Sequence, residues 1–258
     1  MSYPELTITF LGTGTSSGVP MIGCSCEVCT SPDKKDKRLR SSILVQSRIT
    51  TLVIDTTPDF RYQMLRQEVK HLDAVVFTHP HKDHIAGLDD VRAYNFFSNK
   101  PMEVYANDLT QEALKKEFSY VFADKKYPGI PKIRLNTIAS EPFTVGDIPI
   151  IPIPVMHLKM PVLGFRFGKF TYITDANYIN NDGLNKTRGS EALVLNALRQ
   201  KKHISHYSLS EAKVLAEDLR MPNTYLTHIS HQMGKHEEVN SSLPSNIQLA
   251  YDGLILRF

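Results

Sequence analysis

Residues 78–84 of this chain are Thr78-His79-Pro80-His81-Lys82-Asp83-His84, and they follow the apolar run Ala74–Phe77. Side chains of an extended segment alternate between two sides, so His79 and His81 point the same way, while Asp83 and His84 can turn towards a second centre at the start of a helix. Imidazole and carboxylate groups together suit Zn²⁺, Mn²⁺ or Fe²⁺. The segment therefore predicts a metal site rather than a solvated polar loop.

Two metal sites need more ligands than this one segment offers, and further candidates follow other apolar runs. Loops at the ends of strands commonly collect functional groups over a rigid sheet. Taken singly, an Asp after a strand can be an ordinary turn residue, and a His can be packed in a core. Taken together, the residues that complete the two sites are His157, Asp175 and His228.

Strand-like runs alternate with helical spacing along the chain, which predicts a mixed α/β fold. Runs rich in β-branched residues predict strands at Leu6–Leu11, Ser42–Gln46, Thr51–Ile54, Ala74–Thr78, Ile148–Pro154, Val162–Phe167, Phe170–Thr174, Ala192–Leu195, Thr224–Thr227 and Leu254–Phe258. Helical spacing predicts helices at Thr57–Gln67, Asp90–Phe97, Leu109–Phe122, Ser210–Leu219 and His236–Ser241. No repeat or linker interrupts the pattern, so a single domain over residues 1–258 is the simplest organisation.

Composition limits the classes of partner and compartment. Lys and Arg total 30 against 27 for Asp and Glu, a net charge of +3, which permits a nucleic-acid partner without demanding one. The amino terminus lacks the basic and apolar regions of a signal peptide, and no apolar run reaches the roughly 18 residues of a membrane-spanning helix. We therefore expect a cytoplasmic, soluble protein that does not contact membranes, and leave open whether it forms a homodimer.

The chain has three cysteines, Cys24, Cys26 and Cys29, which lie close together. An odd, crowded set cannot form a disulfide framework, whereas short Cys spacings suit zinc. A closed structural zinc site needs a fourth protein ligand, for which His231 and His236 are the candidates. Such a zinc ion would order the loop of residues 19–32 next to the other metal sites.

The Thr-His-x-His-x-Asp-His segment, the later His, the Asp after a strand and the final Thr-His resemble the metallo-β-lactamase superfamily. Within it, the chain is similar to the phosphodiesterase family of the carbon–phosphorus lyase pathway (PhnP-type), and more distantly to the ribonucleases that process tRNA 3′ ends. The similarity runs nearly end to end, through Phe10–Gly14, the cysteines, Ile54–Arg61, Gly87–Asp90, Pro161–Phe165 and Leu226–His231. It implies an αββα sandwich with the metals at one edge.

Carried over position by position, the resemblance implies two divalent ions, zinc or manganese, in an active site. One ion would be held by His79, His81 and His157, the other by Asp83, His84 and His228, and Asp175 would bridge them. The resemblance also supports His231 as the fourth ligand of the structural zinc. A carboxylate at position 83, where many β-lactam-cleaving relatives place Cys, suits the hydrolysis of phosphate esters.

The expected reaction is hydrolysis of a phosphodiester. Two ions about 3.5–4 Å apart can share a water molecule, lower its pKa and present a bridging hydroxide to phosphorus. The leaving oxygen benefits from a proton, and we assign the general acid to His206, because the phosphodiesterases have a matching His before a helix. His203 is the alternative, and both can be plain surface residues.

Other polar segments near these motifs have two interpretations each. Asp55 and Asp59 are candidates for carboxylates that orient metal-bound imidazoles, and Asp59 also suits a helix cap. Gly12-Thr13-Gly14 is interpreted as a tight turn rather than a phosphate loop. Basic residues in Lys34–Arg40 are interspersed with Asp, so we interpret the segment as a solvated loop rather than a nucleic-acid surface.

The sequence therefore predicts a metal-dependent phosphodiesterase whose substrate is a small, cyclic phosphodiester. An RNA 3′-end-processing nuclease is the alternative, although only the short piece Lys125–Lys132 resembles the long arm expected of that class. A thioester hydrolase and a non-catalytic zinc-binding module are further alternatives, since one fold hosts many functions. The open ligand set argues against the binding module, because purely structural sites are closed.

Overall fold

The computed structural model describes residues 3–124 and 127–258, so residues 125 and 126 of the Pro/Lys-rich piece lie outside it. The strands are β1 (Thr7–Gly12), β2 (Ser42–Gln46), β3 (Thr51–Ile54), β4 (Ala74–Val76), β5 (Met102–Ala106), β6 (Ile133–Thr137), β7 (Phe143–Val145), β8 (Ile148–His157), β9 (Met160–Phe167), β10 (Phe170–Tyr172), β11 (Tyr178–Ile179), β12 (Ala192–Asn196), β13 (Asn223–Thr227), β14 (Ile247–Leu249) and β15 (Ile255–Arg257). The helices are α1 (Phe60–Arg66), α2 (Lys82–Ile85), α3 (Arg92–Ser98), α4 (Asp108–Glu117), α5 (Ser119–Phe122), α6 (Asn181–Thr187), α7 (Leu209–Asp218) and α8 (His236–Ser241). Within the described ranges, none of these helices has the length and apolar character needed to cross a membrane.

The strands form two mixed sheets. The first has the order β15-β1-β2-β3-β4-β5-β6, and its strands β3 to β6 are parallel. The second has the order β11-β8-β9-β10-β12-β13-β14, with β7 paired to β8 and a parallel run from β10 to β14. The carboxyl ends of parallel strands meet at one edge of a sheet, where ligands commonly bind. This arrangement gathers the loops that follow β3, β4, β10 and β13.

Side-chain alternation divides the strands between an inner core and two outer cores. Ile54 packs between the sheets, whereas its neighbour Val53 lies in an outer cluster with residues of α1 and α4. On the second sheet, Val194 faces the first sheet, and Leu195 packs with residues of α7 and α8. Helices therefore cover both outer faces, and the predicted α/β class and αββα sandwich are confirmed. The extension of a single domain over residues 1–258 stays a prediction.

The structure differs from the predicted elements in three ways. The predicted helix Leu109–Phe122 is split at Phe118 into α4 and α5. Helix α7 begins one residue before Ser210, because Ser208 and Glu211 form a reciprocal capping box. The sequence analysis also missed β5, β6, β7, β11, β14 and α6, and three of these, β6, β11 and β14, lie at the edges of the sheets.

Candidate metal centres

The segment after β4 has the layout that alternation predicts. His79 is buried and His81 is exposed, and the Nε2 atom of His79 lies 3.1 Å from the Nδ1 atom of His81. Helix α2 starts at Lys82, which places Asp83 and His84 in its first turn. The Nε2 atom of His84 is 3.4 Å from the Oδ2 atom of Asp83. The extended pair and the helical pair therefore offer two separate sets of ligand atoms.

The predicted ligands meet at Asp175, which follows β10 and is only 2% exposed. Its Oδ2 atom lies 3.5 Å from the Nε2 atom of His79 and 3.4 Å from that of His84, and its Oδ1 atom lies 2.8 Å from the Nδ1 atom of His228. Asp175, His228 and Asp55 all have positive φ angles, of 53°, 56° and 66°. Such backbone strain concentrates at functional sites, where the surrounding structure holds it.

Three groups of possible ligand atoms share Asp175, and within each group all atoms lie within 4.8 Å of one another. The groups are Asp83 with His84 and His228, His79 with His81, and His157 with His206. The resemblance instead combined His157 with His79 and His81. The ring centroid of His157 lies 5.1 Å from that of His81, so all the predicted active-site ligands are brought to one place. The ligand atom of His157, however, is grouped with that of His206 rather than with those of His79 and His81.

A buried carboxylate orients one imidazole from behind. The Oδ2 atom of Asp55, at the end of β3, lies 2.7 Å from the Nδ1 atom of His84. Thr78 donates to the same carboxylate through its backbone N–H at 2.9 Å and its hydroxyl at 2.8 Å. The second ring nitrogen of His84 is thereby directed at Asp175, which is the arrangement expected behind a metal-binding imidazole.

Two further imidazoles are held by groups that the sequence analysis did not identify. The hydroxyl of Thr15 lies 3.1 Å from the Nε2 atom of His228. The Nδ1–H group of His157 donates to the backbone carbonyl of Ser205 at 2.7 Å. A threonine directly after the Gly12-Thr13-Gly14 segment and a serine between two histidines carry no motif of their own, so only the folded chain shows these contacts.

The protonation states of these side chains, and the ring nitrogens that make no hydrogen bond, fit a divalent cation. Burial, and then the neighbouring His84, keep the pKa of His79 well below its usual value. Burial opposes ionisation of Asp175, but His228 and His84 hold its pKa well below the usual range. Neutral imidazoles and ionised carboxylates are the forms that bind metals. Among the described residues, three buried ring nitrogens face Asp175 at 2.8 to 3.5 Å but are not aligned for a hydrogen bond with it or with any other group: Nε2 of His84, Nε2 of His206 and Nδ1 of His228.

The charge around His84 supports the same conclusion. Burial disfavours its protonated form, yet Asp175, Asp83 and Asp55 together raise its pKa well above the ordinary value. Carboxylates gathered around a buried ring require a positive charge nearby. A bound cation would supply that charge in place of the proton.

Of the two candidate general acids, His206 lies against the centre. Its Nε2 atom is 3.5 Å from the Oδ2 atom of Asp175, and its ring stacks on that of His228 with centroids 4.9 Å apart. Burial lowers the pKa of His206 to about 4. His203 lies beside it, with ring centroids 5.4 Å apart, and belongs to none of the three groups around Asp175.

Comparison with known proteins agrees with this geometry. Residues 50–229, most of the chain, match the β-lactamase superfamily domain. The chain belongs to the metallo-β-lactamase superfamily. Its structure is similar to that of a diphosphatase from the PhnP family, with 43% identity, a TM-score of 0.92 and 98% of each chain covered. The resemblance predicted from the sequence is confirmed.

Two curated proteins with similar sequences are named for other activities. An octanoyltransferase of Porphyromonas gingivalis is 37% identical over 95% of this chain, but the match covers 50% of that relative, so the chain spans about half its length. The exodeoxyribonuclease WalJ of Streptococcus pneumoniae is 24% identical, with 87% of this chain and 85% of the relative covered. The superfamily, the ligand clusters and the structural relative together support a metal-dependent hydrolase.

A second cluster in this metallo-β-lactamase superfamily member contains the three cysteines. The Nδ1 atom of His231 lies 3.3 Å from the Sγ atoms of both Cys24 and Cys26, and Cys29 belongs to the same group. His236 is elsewhere, with its Nδ1 atom 3.1 Å from the Nη2 atom of Arg38. Of the two candidates for a fourth ligand, His231 is therefore the one that joins the cysteines.

Two interpretations of the basic and acidic residues are wrong. Arg38 is only 4% exposed and donates to the Thr13 hydroxyl at 2.8 Å, so Lys34–Arg40 is not simply a solvated loop. Asp59 stands at the N-cap position of α1 as one alternative expected, but its carboxylate neither orients an imidazole nor bonds to the helix, because it accepts hydrogen bonds from the Arg40 guanidinium and backbone N–H, both at 2.9 Å. Arg38 exchanges two backbone hydrogen bonds with Val19, where the loop of residues 19–32 starts, and we call Val19, Arg38 and the adjoining His236 the base of the cysteine loop.

The Gly12-Thr13-Gly14 segment is not the tight turn that the sequence suggested. Gly12 ends β1, and Gly14 forms parallel bridges with Arg40 and Ile229. A Cβ atom at Gly12 would lie 1.9 Å from the carbonyl oxygen of Arg40. The glycine is needed for close backbone approach, and the extended segment continues to Thr15 beside His228.

Proposed function

We propose that this protein is a metal-dependent phosphohydrolase that cleaves a small phosphodiester. The observation that carries the proposal is the convergence of two ligand sets and His206 on Asp175. We assign His79, His81 and His157 to one divalent ion, Asp83, His84 and His228 to a second, and Asp175 to a position between them. Mixed nitrogen and carboxylate sites of this kind suit zinc or manganese and the hydrolysis of phosphate esters.

When bound, the ions supply an activated water molecule as nucleophile and neutralise charge on the phosphate. The chain itself holds the reacting groups in place. Asp55, Thr15 and the carbonyl of Ser205 fix the imidazoles from behind, which keeps the ligand geometry ready for substrate. His206 can hold a proton towards the leaving oxygen, since its Nε2 atom is directed at the centre.

The cysteine cluster has a structural role in this proposal. We assign one zinc ion to Cys24, Cys26, Cys29 and His231, which form a closed set of four ligands. Bound there, the ion would tie the loop of residues 19–32 to the segment that follows β13. The loop would thereby be ordered next to the proposed catalytic centre.

The similarity to a diphosphatase favours a diphosphate as a second candidate substrate. Both reactions transfer a phosphoryl group to water, and they differ in the leaving group. The exodeoxyribonuclease relative makes nucleic acid worth testing, with lower identity. The octanoyltransferase relative provides weaker support for an acyl-transfer function, because the match covers half of that relative. In addition, all the cysteines of this chain lie with His231, where a zinc ion would occupy their thiols.

The test measures hydrolysis of bis-p-nitrophenyl phosphate by the protein loaded with Zn²⁺ or Mn²⁺, together with its metal content. We expect turnover by the wild type and its loss in Asp83→Ala, whereas the matched control Asp182→Ala, an exposed carboxylate on α6, retains it. A panel of 2′,3′- and 3′,5′-cyclic nucleotides, cyclic ribose phosphates, a dinucleoside diphosphate, precursor tRNA and an octanoyl thioester then ranks the substrates. Absence of turnover on every phosphate ester by the metal-loaded wild type contradicts the proposal.

A further inference from the structure

Leu158 is an apolar residue held in a backbone conformation that does not suit it. Its φ angle is 56°, and of the described non-glycine residues with a positive φ it alone has an apolar side chain. A positive φ is a genuine outlier for a bulky residue. Leu158 and Lys159 form the two-residue turn between β8 and β9, since His157 pairs with Met160. Turns of this length commonly place glycine where φ is positive, so glycine would fit this backbone better than leucine.

Burial does not explain the leucine, because its side chain is largely open to solvent. Leu158 is 50% exposed, and it directly follows His157, a proposed metal ligand. Backbone strain persists where the surrounding structure holds it, and it concentrates at catalytic and ligand-binding sites. A strained, exposed, apolar side chain next to the centre therefore indicates contact with a ligand rather than a role in packing.

Asn177 joins this turn to a second exposed apolar residue. Its side-chain oxygen accepts from the Leu158 backbone N–H at 2.7 Å, and its side-chain nitrogen donates to the Ile204 carbonyl at 3.3 Å. Ile204 is 75% exposed and directly precedes Ser205, whose carbonyl accepts from His157. Two sets of hydrogen bonds therefore bind the turn to the segment of Ile204, and they bring both apolar residues to the same side of the centre.

We propose that Leu158 and Ile204, which we call the apolar rim, bind an aromatic ester group of the substrate. This inference rests on the proposed phosphohydrolase function and narrows its substrate class. A diester bound at the centre carries two ester groups, one of which can lie on the apolar rim. Branched aliphatic side chains pack against the face of a flat ring through many atoms, whereas a methyl ester offers them little surface. The expected substrate therefore carries an aromatic group, such as a nucleobase.

The test measures the binding of phenyl phosphate and of methyl phosphate to the metal-loaded protein by calorimetry. Covering the exposed half of a leucine side chain is worth about tenfold in affinity, so we expect the wild type to prefer phenyl phosphate by at least this factor. Leu158→Gly should lose about tenfold for phenyl phosphate and little for methyl phosphate. Ile204→Ala should show the same selective loss, and Leu158→Met, which keeps an apolar side chain, should retain the preference.

The thermal stability of Leu158→Gly separates a binding role from a structural one. Glycine adopts a positive φ readily, so we expect a melting temperature equal to or above that of the wild type, together with the lost preference. A leucine kept for stability would give the opposite, a lower melting temperature with unchanged selectivity. Leu65→Ala on α1 and Ile49→Ala between β2 and β3 change exposed apolar residues elsewhere and serve as matched controls.

Equal affinity of the wild type for the two phosphates overturns the apolar rim, and so does an unchanged preference in Ile204→Ala, a variant that does not alter the strained turn. Wild-type protein that binds phenyl phosphate selectively but hydrolyses no phosphate ester counts against the proposed function instead. The two failures are therefore distinguishable.

Discussion

The centre around Asp175 and the cysteine cluster differ in how the fold supports their ligands. Asp175 and most of the residues around it are buried at the ends of strands, and hydroxyl, carboxylate and carbonyl groups hold the rings from behind. Cys24 and Cys26 are only half-buried, and the local core beside them is the small cluster of Val19, Val28 and Cys29. The fold can preform the first centre, whereas in our proposal the second would depend on a bound zinc ion for its order.

The two centres are nevertheless joined by a short segment. His228 belongs to the first and His231 to the second, and Ile229 between them exchanges backbone hydrogen bonds with Thr13 and Thr15 at 2.9 and 3.1 Å. Thr15 in turn contacts His228 and lies just before the cysteine loop. We therefore expect a change in the cysteine cluster to alter the centre around Asp175. The two sheets hold the centre around Asp175 in place, so we expect a change there to affect the cysteine cluster less.

The largest effect is expected from Asp175, because among the residues that the structure describes it alone belongs to all three ligand groups around the centre. Asp175→Asn keeps the shape of the side chain and removes its charge, so we expect turnover of bis-p-nitrophenyl phosphate to fall by at least about 10³-fold, equivalent to several kcal/mol of lost stabilisation of the transition state. Metal content measured on the same sample should also fall. Asp218→Asn, an exposed carboxylate at the end of α7, is the control, and a variant as active as this control contradicts the assignment.

A smaller effect is expected one layer further out, at Asp55. Replacement of a carboxylate behind a metal-binding imidazole typically costs about 10- to 100-fold in metal affinity or activity, and we expect Asp55→Asn to fall in this range. Titration of the metal-free variant with zinc, followed by activity, separates the loss of affinity from the loss of turnover. Asp59→Asn is the informative comparison, since its carboxylate binds Arg40 and should matter little for metal affinity.

The link between the centres predicts a moderate effect of Cys26→Ser. We expect the variant to lose zinc and thermal stability, and to turn over substrate roughly tenfold more slowly, as is typical when residues that support a metal site are disturbed. Ser25→Ala changes the exposed neighbour and should change neither property. Lost zinc with wild-type turnover would show that the two centres are independent.

The sequence allowed us to predict which side chains the structure brings together around Asp175, because their residue types and strand-end positions carry the information. His79, His157 and His228 lie far apart in the chain, yet each follows an apolar run whose carboxyl end faces the same edge. The choice between His231 and His236, by contrast, depends on which loop approaches the cysteines. No local pattern records that approach, so the structure was needed.

Of the groups that support the imidazoles, Asp55 was a candidate from the sequence, but Thr15 and Ser205 could not be predicted, for a related reason. Ser205 holds His157 through its backbone carbonyl, and a carbonyl is the same in every residue. Arg38 was interpreted as a solvated residue because charged side chains are usually exposed. Its burial beside Thr13 and His236 depends on contacts between distant parts of the chain, and only the fold supplies them.

The smallest effect concerns the base of the cysteine loop and is measured as stability against pH. Burial, followed by the charges of Arg38 and Lys35, lowers the pKa of His236 to about 4 from an ordinary value of 6.5. Below pH 6.5 the unfolded chain binds a proton that the folded protein refuses, so stability that is complete above pH 6.5 is lost as the pH falls towards 4. We expect this group to contribute on the order of 2 kcal/mol to the free energy of unfolding across that window.

In urea titrations of the metal-loaded protein, His236→Gln should show a shallower loss of stability with falling pH than the wild type, because its neutral amide can still accept from Arg38. The exposed His71→Gln should behave like the wild type. If the His236→Gln curve instead parallels that of the wild type, the acid sensitivity originates in the metal ligands, and the base of the cysteine loop is as robust as the catalytic centre.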